Sequence, residues 1–457
     1  MADALTYRDH LRGVLLLGLP LIGSHIAQFA LQVVDTVMVG WYSVEALAAA
    51  VLGTSVIFVV FLLGSGFAGA VMPMVAAAAA AGDDAEVRRT TRMGLWLSAG
   101  FAVVTLPGMW GSGTILRAFG QDPAISALTQ DYLRIAGFGM APALAVMVLK
   151  SYLAALDRTQ VVLWVTVAAV GLNAAVNWAL IFGNWGAPEM GLRGAAVASV
   201  VVQTATLLAL AGYAVFLPAL RRYTLFVRFW RPDTAALMAV FRLGWPIGLT
   251  GLAEGGLFAA TALMMGWIGT VDLAAHGIAV EISGLTFMIY MGLSNAATVR
   301  AGRAQALGDA EGLQRGALVA VAVTFAVALV VIAAFLGLPH LLIGAFLSAD
   351  DPLRPMIITS GTALLAVAAL FQLADAAQVM GLGLLRGLQD TRRPMMIALI
   401  GYWLLGVPAC YALGFWLGLG GVGIWLGLVL GLSVVAALLA RRFLRHLGSA
   451  RSPARAA

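Results

Sequence analysis

Four carboxylates lie well inside apolar runs of this 457-residue chain: Asp35, Glu254, Glu281 and Asp375. The spacing of the runs puts no lysine or arginine at comparable depth. A carboxylate at the centre of a bilayer costs on the order of 3 kcal/mol on insertion scales, so such residues usually face a cavity and carry function. One isolated acid could be a protonated group bonded to a neighbouring helix. Four without basic partners point to a cation, whether H+, Na+ or an organic ammonium, and they disfavour an anionic substrate. Neutral polar residues add a second layer. Asn173 and Asn177 are four apart, on one helix face. Their amides could coordinate a cation, bond Asp35, or tie two helices together. Gln372 and Gln378 flank Asp375. His276 reads as a hydrogen-bonded structural residue or as a proton relay. Tyr402 and Trp403 could stack on a flat cation or belong to the core.

The elements that hold these residues must be membrane helices. Hydrophobic types make up 62% of the chain and charged types 11%, with a mean hydropathy of +0.96. Soluble domains run near 45–50% apolar and about 25% charged. That excludes a soluble enzyme, a disordered chain and a disulfide scaffold. The net charge of +6 is too sparse for a nucleic-acid surface. The single cysteine, Cys410, allows neither an internal disulfide nor a multi-cysteine metal site. A spanning helix needs about 20 mostly apolar residues. Twelve runs qualify, near 13–40, 46–80, 93–116, 132–153, 161–183, 194–217, 240–268, 273–299, 316–346, 356–384, 395–417 and 421–440. Met1–Leu11 is polar and the first run is too long for a signal-peptide core, so no cleaved leader is expected.

The bases fix an orientation. When the breaks are assigned to alternate sides, all but Arg117, Arg134, Arg193 and Arg354 of the 27 bases fall on one side. The positive-inside rule makes that side cytoplasmic, with both termini. Lys150 and Arg386 are placed there too, as is a short basic tail from Arg441 to Arg455.

The chain also repeats itself. Gly18 and Pro20 recur as Gly244 and Pro246 at a shift of 226. At the same shift Met38, Gly40, Trp41, Leu47, Ala48 and Ala49 recur within 262–275, and Gly82-Asp83 recurs as Gly308-Asp309. Six spans per repeat is an even number, so both halves enter the membrane in the same sense. The division is 1–217, a linker at 218–239, and 240–457. Pro20 and Pro246 each remove a backbone donor inside a span. They are hinges or static kinks. The halves differ in charge: Thr261 stands at the position of Asp35, and Gln28 at that of Glu254. No Walker A loop, HExxH or dinucleotide fingerprint is present, so an ion gradient is the simplest energy source.

These features together resemble the multidrug and toxic compound extrusion family, in its bacterial NorM branch. The resemblance is carried by Pro20 with Val34-Asp35-Thr36-Val37-Met38-Val39-Gly40, and by Gly251-Leu252-Ala253-Glu254. Ala274-Ala275-His276, Asp375-Ala376-Ala377-Gln378-Val379 and Leu385-Arg386-Gly387-Leu388-Gln389-Asp390-Thr391 extend it over nearly the whole chain. It implies an all-α membrane protein of twelve helices in two parallel six-helix lobes, V-shaped. It also implies export of cationic or amphipathic compounds in exchange for Na+ or H+. Asp35 matches the coupling acid of the first lobe, with Asn173 and Asn177 beside it. Glu254 and Asp375 match those of the second. Gly277 departs from the family, many bacterial members having glutamine after the histidine. Glu281 resembles an acid of the eukaryotic, proton-coupled branch. The expected protein is a monomeric, non-enzymatic antiporter of a bacterial inner membrane. It has no cofactor or structural metal, and Na+ could bind at Asp35, Glu254 or Asp375. Its partners are the bilayer and small organic cations. A lipid-linked saccharide flippase of the same superfamily would want a base in the cavity, and a membrane-embedded enzyme would want a catalytic motif near the interface.

Overall fold

A computed structural model describes residues 6–348 and 350–451. Arg455, assigned above to the basic tail, lies outside the described residues. Among the described residues, twelve helices are long and apolar enough to cross a membrane: α1 (Tyr7–Tyr42), α2 (Val44–Ala80), α3 (Asp84–Trp110), α4 (Pro123–Ala155), α5 (Thr159–Phe182), α6 (Leu192–Phe216), α7 (Thr234–Ile268), α8 (Thr270–Ala306), α9 (Ala310–Gly337), α10 (Arg354–Gly387), α11 (Arg392–Trp416) and α12 (Gly420–Ser449). Among the described residues there is no strand. The chain is a multi-pass membrane protein.

Four acids in the breaks serve as helix caps. Asp83 accepts the Glu86 amide at 2.9 Å, and Asp309 accepts the Gly312 amide at 2.7 Å. Asp122 accepts two amides ahead of α4, and Asp233 accepts that of Ala236 at 3.0 Å. Each satisfies a donor left orphaned at a helix start. Gly82 and Gly308 precede two of these caps with φ of 75° and 66°. A side chain is strained there, so the recurring Gly-Asp pair is a repeated turn-and-cap.

Two spans end earlier than their apolar runs suggest. α3 stops at Trp110, and a separate short helix follows at Ser112–Ala118. α9 stops at Gly337, and Pro339 starts another short helix. α11 carries wide π turns at Ile400–Gly406 and Ala412–Trp416. Such turns often mark functional sites.

The chain forms two compact units. One spans Gly23–Leu249; the other takes the chain up to Ile22 and from Thr250 onward. The divisions thus fall inside α1 and α7, just beyond Pro20 and Pro246, whereas the sequence-based division falls in the 218–239 linker. The reason is helix seating. In the first unit, a Cβ on Gly66 of α2 would lie 2.7 Å from the Cα of Gly248, on the early part of α7. In the second, a Cβ on Gly292 of α8 would lie 2.7 Å from the backbone nitrogen of Ile22, on the early part of α1. Gly66 and Gly292, and Ile22 and Gly248, are related by the same shift of 226. The repeat seen in sequence is therefore also a repeat of close contacts, possible only where glycine lets backbones touch.

The linker is pinned within the first unit. The Arg92 guanidinium donates to the carbonyls of Val227, Arg228 and Arg231. Trp96 donates to Phe229 at 3.0 Å, and Arg89 pairs with Asp233 at 2.6 Å. The Arg89 hydrogen bond holds the Asp233 carboxyl below the usual carboxylate range.

Candidate functional site

The first unit holds Asp35 on α1 against α5. Its Oδ1 accepts the Asn177 amide at 2.6 Å and the Asn173 amide at 2.9 Å. The i,i+4 spacing delivers both donors to one oxygen, and the two amides also bond each other at 3.3 Å. Both asparagines are buried. Ser199 of α6 and Tyr132 of α4 complete the surroundings of Asp35. Neither stands out in the sequence, since a single hydroxyl in an apolar helix is common. Asn177 Oδ1 is buried and finds no hydrogen-bond donor among the described residues.

The second unit holds Glu254 on α7 and Asp375 on α10. Glu254 accepts the Gln378 amide at 2.9 Å. Asp375 is one turn from Gln378 and lies within electrostatic reach of Glu254. The Tyr402 ring, fully buried on α11, brings its hydroxyl near both carboxyls. Gln378 Oε1 has no hydrogen-bond partner among the described residues, and the Tyr402 hydroxyl lies beside the Gln378 side chain. Two carboxylates in one cluster repel each other when charged. A cation between them relieves the repulsion. The oxygens nearby suit a hard cation, which takes oxygen ligands.

Other residues singled out from the sequence go elsewhere. Trp403 donates its indole N–H to the Ala253 carbonyl at 3.2 Å and lies over Gly256, where a Cβ would meet its ring at 2.7 Å. His276 is buried, and its Nδ1 accepts from Trp425 at 3.1 Å. Gln372 accepts from Tyr290 and Thr286 on α8. Glu281 is exposed on α8 and is not brought together with Glu254 and Asp375. Gln28 bonds neither carboxylate. Its Oε1 accepts from Lys150 at 3.3 Å. This corrects the expectation that no base lies at the depth of the acids: Lys150 is five residues from the end of α4, and its long stem reaches the middle of α1. Arg386 also lies within electrostatic reach of Glu254.

A repeated pair of six-helix segments, all able to cross a membrane and carrying carboxylates within the helices of each unit, defines a class of polytopic membrane protein with internal duplication. Within that class the chain belongs to the MatE family, whose pattern matches residues 20–179 and 246–412. It is 44% identical over 442 residues to the "Probable multidrug resistance protein NorM" of Rhizobium meliloti, covering 97% of this chain and 95% of that one. It is 43% identical over 435 residues to the protein of the same name in Agrobacterium fabrum, covering 95% and 94%. Among solved structures, a "multidrug resistance MATE family transporter of the MOP superfamily" in an outward-facing conformation superposes with a TM-score of 0.87 at 20% identity, covering 97% of each chain. A MOP superfamily transporter from Pyrococcus furiosus superposes at 0.85, also at 20% identity and 97% coverage of each.

Proposed function

We propose that this chain is an antiporter that exports cationic or amphipathic organic compounds in exchange for Na+ or H+, by alternating access. The observation that carries this reading is the pair of carboxylate clusters, one in each compact unit, bonded to neutral amides and without an ion pair among the described residues. The names of the NorM relatives support drug export. With the acids charged, an organic cation binds. Entry of H+ or Na+ neutralises Asp35 or the Glu254/Asp375 pair and weakens that binding. This is reciprocal linkage between two ligands. It drives transport only if the ion binds one conformation better than the other. Pro20 and Pro246 are the hinges of that change. The protein sits in the bacterial inner membrane as a monomer, with both termini cytoplasmic, and is a transporter rather than an enzyme.

The test is ethidium efflux in vesicles under an imposed Na+ gradient and, separately, an imposed pH gradient. Asp375→Asn, expressed at wild-type level, is expected to lose gradient-driven efflux. Unchanged efflux in that variant overturns the coupling role.

A further inference from the structure

Lys150 is the one lysine of the chain, and its side chain reaches the middle of α1. Its ammonium lies 3.3 Å from Gln28 Oε1 and 3.5 Å from Ser24 Oγ. Ser24 in turn lies 3.2 Å from Thr166 Oγ1, and His25 is within electrostatic reach. Both hydrogen bonds of the ammonium go to neutral oxygens, and among the described residues no carboxylate pairs with it. A cation held inside a membrane protein without a counter-ion is costly, and such residues line substrate pathways.

Its placement relative to Asp35 is regular. Gln28 and Asp35 are seven apart on α1, two turns and about 10 Å along one face. Thr166 and Asn173 are seven apart on α5. The same two helices thus carry two polar rungs, one holding an ammonium and the other a carboxylate. The repeat sharpens the contrast. Gln28 aligns with Glu254 at the shift of 226, and α4 corresponds to α10. In the second unit this helix pair joins Glu254 to Asp375 and Gln378. In the first, it joins Gln28 to Lys150. The polarity of the equivalent position is inverted.

We propose that Lys150, with Gln28 and Ser24, forms a subsite for the anionic group of zwitterionic substrates whose ammonium is held at Asp35. A purely anionic ligand, such as a lipid-linked saccharide phosphate, would meet the Asp35 carboxylate. A simple cation leaves Lys150 unused. An amphipathic zwitterion with its charges about two helical turns apart satisfies both rungs. Its transport rests on the export reading above, but the subsite is tested by binding alone.

The probes are norfloxacin, which carries an amine and a carboxylate, and its ethyl ester, which keeps only the amine. Intrinsic fluorescence of each reports binding to the purified protein in lipid nanodiscs near neutral pH. Wild type is expected to bind the acid about tenfold more tightly than the ester, the value of roughly one charge-assisted contact. Lys150→Met should erase that preference by weakening binding of the acid, with ethidium still bound. Lys150→Arg should retain it. Equal affinity of wild type for acid and ester, which needs no variant, overturns the proposal. So does a preference that survives in Lys150→Met. Ethidium efflux by wild-type vesicles reads the export function separately, so failure of one is not mistaken for failure of the other.

Discussion

Asp35→Asn isolates charge from geometry. The two donors, at 2.6 and 2.9 Å, converge on a single oxygen of Asp35, and an asparagine side chain can present a carbonyl oxygen in its place. The network keeps its shape and loses its charge. A cation about 4 Å from a carboxylate gains about 4 kcal/mol at an effective dielectric near 20. At 1.4 kcal/mol per tenfold, that sets a ceiling of nearly a thousandfold in affinity. Asp35 is only partly buried, so water screens some of this, and a loss of ten- to a hundredfold is expected. The assay is fluorescence anisotropy of ethidium titrated with purified wild-type and variant protein. Thermal unfolding of the same samples serves as the fold control. If the variant melts like wild type and its Kd stays within twofold, Asp35 does not hold the cation and the argument from its convergent donors fails.

Two further predictions concern the frame. Gly66→Ala puts a methyl 2.4 Å from backbone of α7 and Gly292→Ala puts one 2.7 Å from backbone of α1, whereas Gly277 has nothing within 4 Å of its missing Cβ. Overpacking of this kind costs about 1–3 kcal/mol, so both variants should melt several degrees below wild type, while Gly277→Ala should melt at or above it; equal Tm values for all three would contradict the close approach. Asp233, held below the usual carboxylate range chiefly by its Arg89 hydrogen bond, contributes stability that is full above the unfolded pKa and is lost as pH falls through the lower folded one. Tm measured from pH 6 down to pH 3 should therefore fall less steeply in Asp233→Asn than in wild type.

The sequence made the count of helices legible because each span is a long apolar run between charged breaks. It made the repeat legible because Gly, Pro and Trp recur at one shift. Asp35 with Asn173 and Asn177 was also legible, since a four-residue spacing aims both amides the same way. What stayed hidden has a common cause. A membrane helix is apolar all round, so periodicity does not say which face meets which neighbour. Ser199 and Tyr132 were silent for that reason, and Glu281 gave no sign that it stands exposed. Lys150 was misplaced because five residues from a helix end reads as interface, when its stem in fact turns inward to Gln28. Gly111 and Pro339 ended helices that hydropathy alone would have continued.

The exchanged seating of α1 and α7 has a consequence for biosynthesis. The unit spanning Gly23–Leu249 has all its residues once α7 is about half made. The other cannot close until α8 is available, because the opening segment of α1 rests there: Gly18 lies against Leu293, and Ile22 against Gly292. At about 5–20 residues per second, that segment waits roughly 15–55 s after synthesis for its partner. During that interval its apolar surface and the backbone around Pro20 must be shielded by lipid or by the insertion machinery. Each sequence half lacks one helix segment of a compact unit, so splitting the chain at the linker should give two fragments that assemble only together.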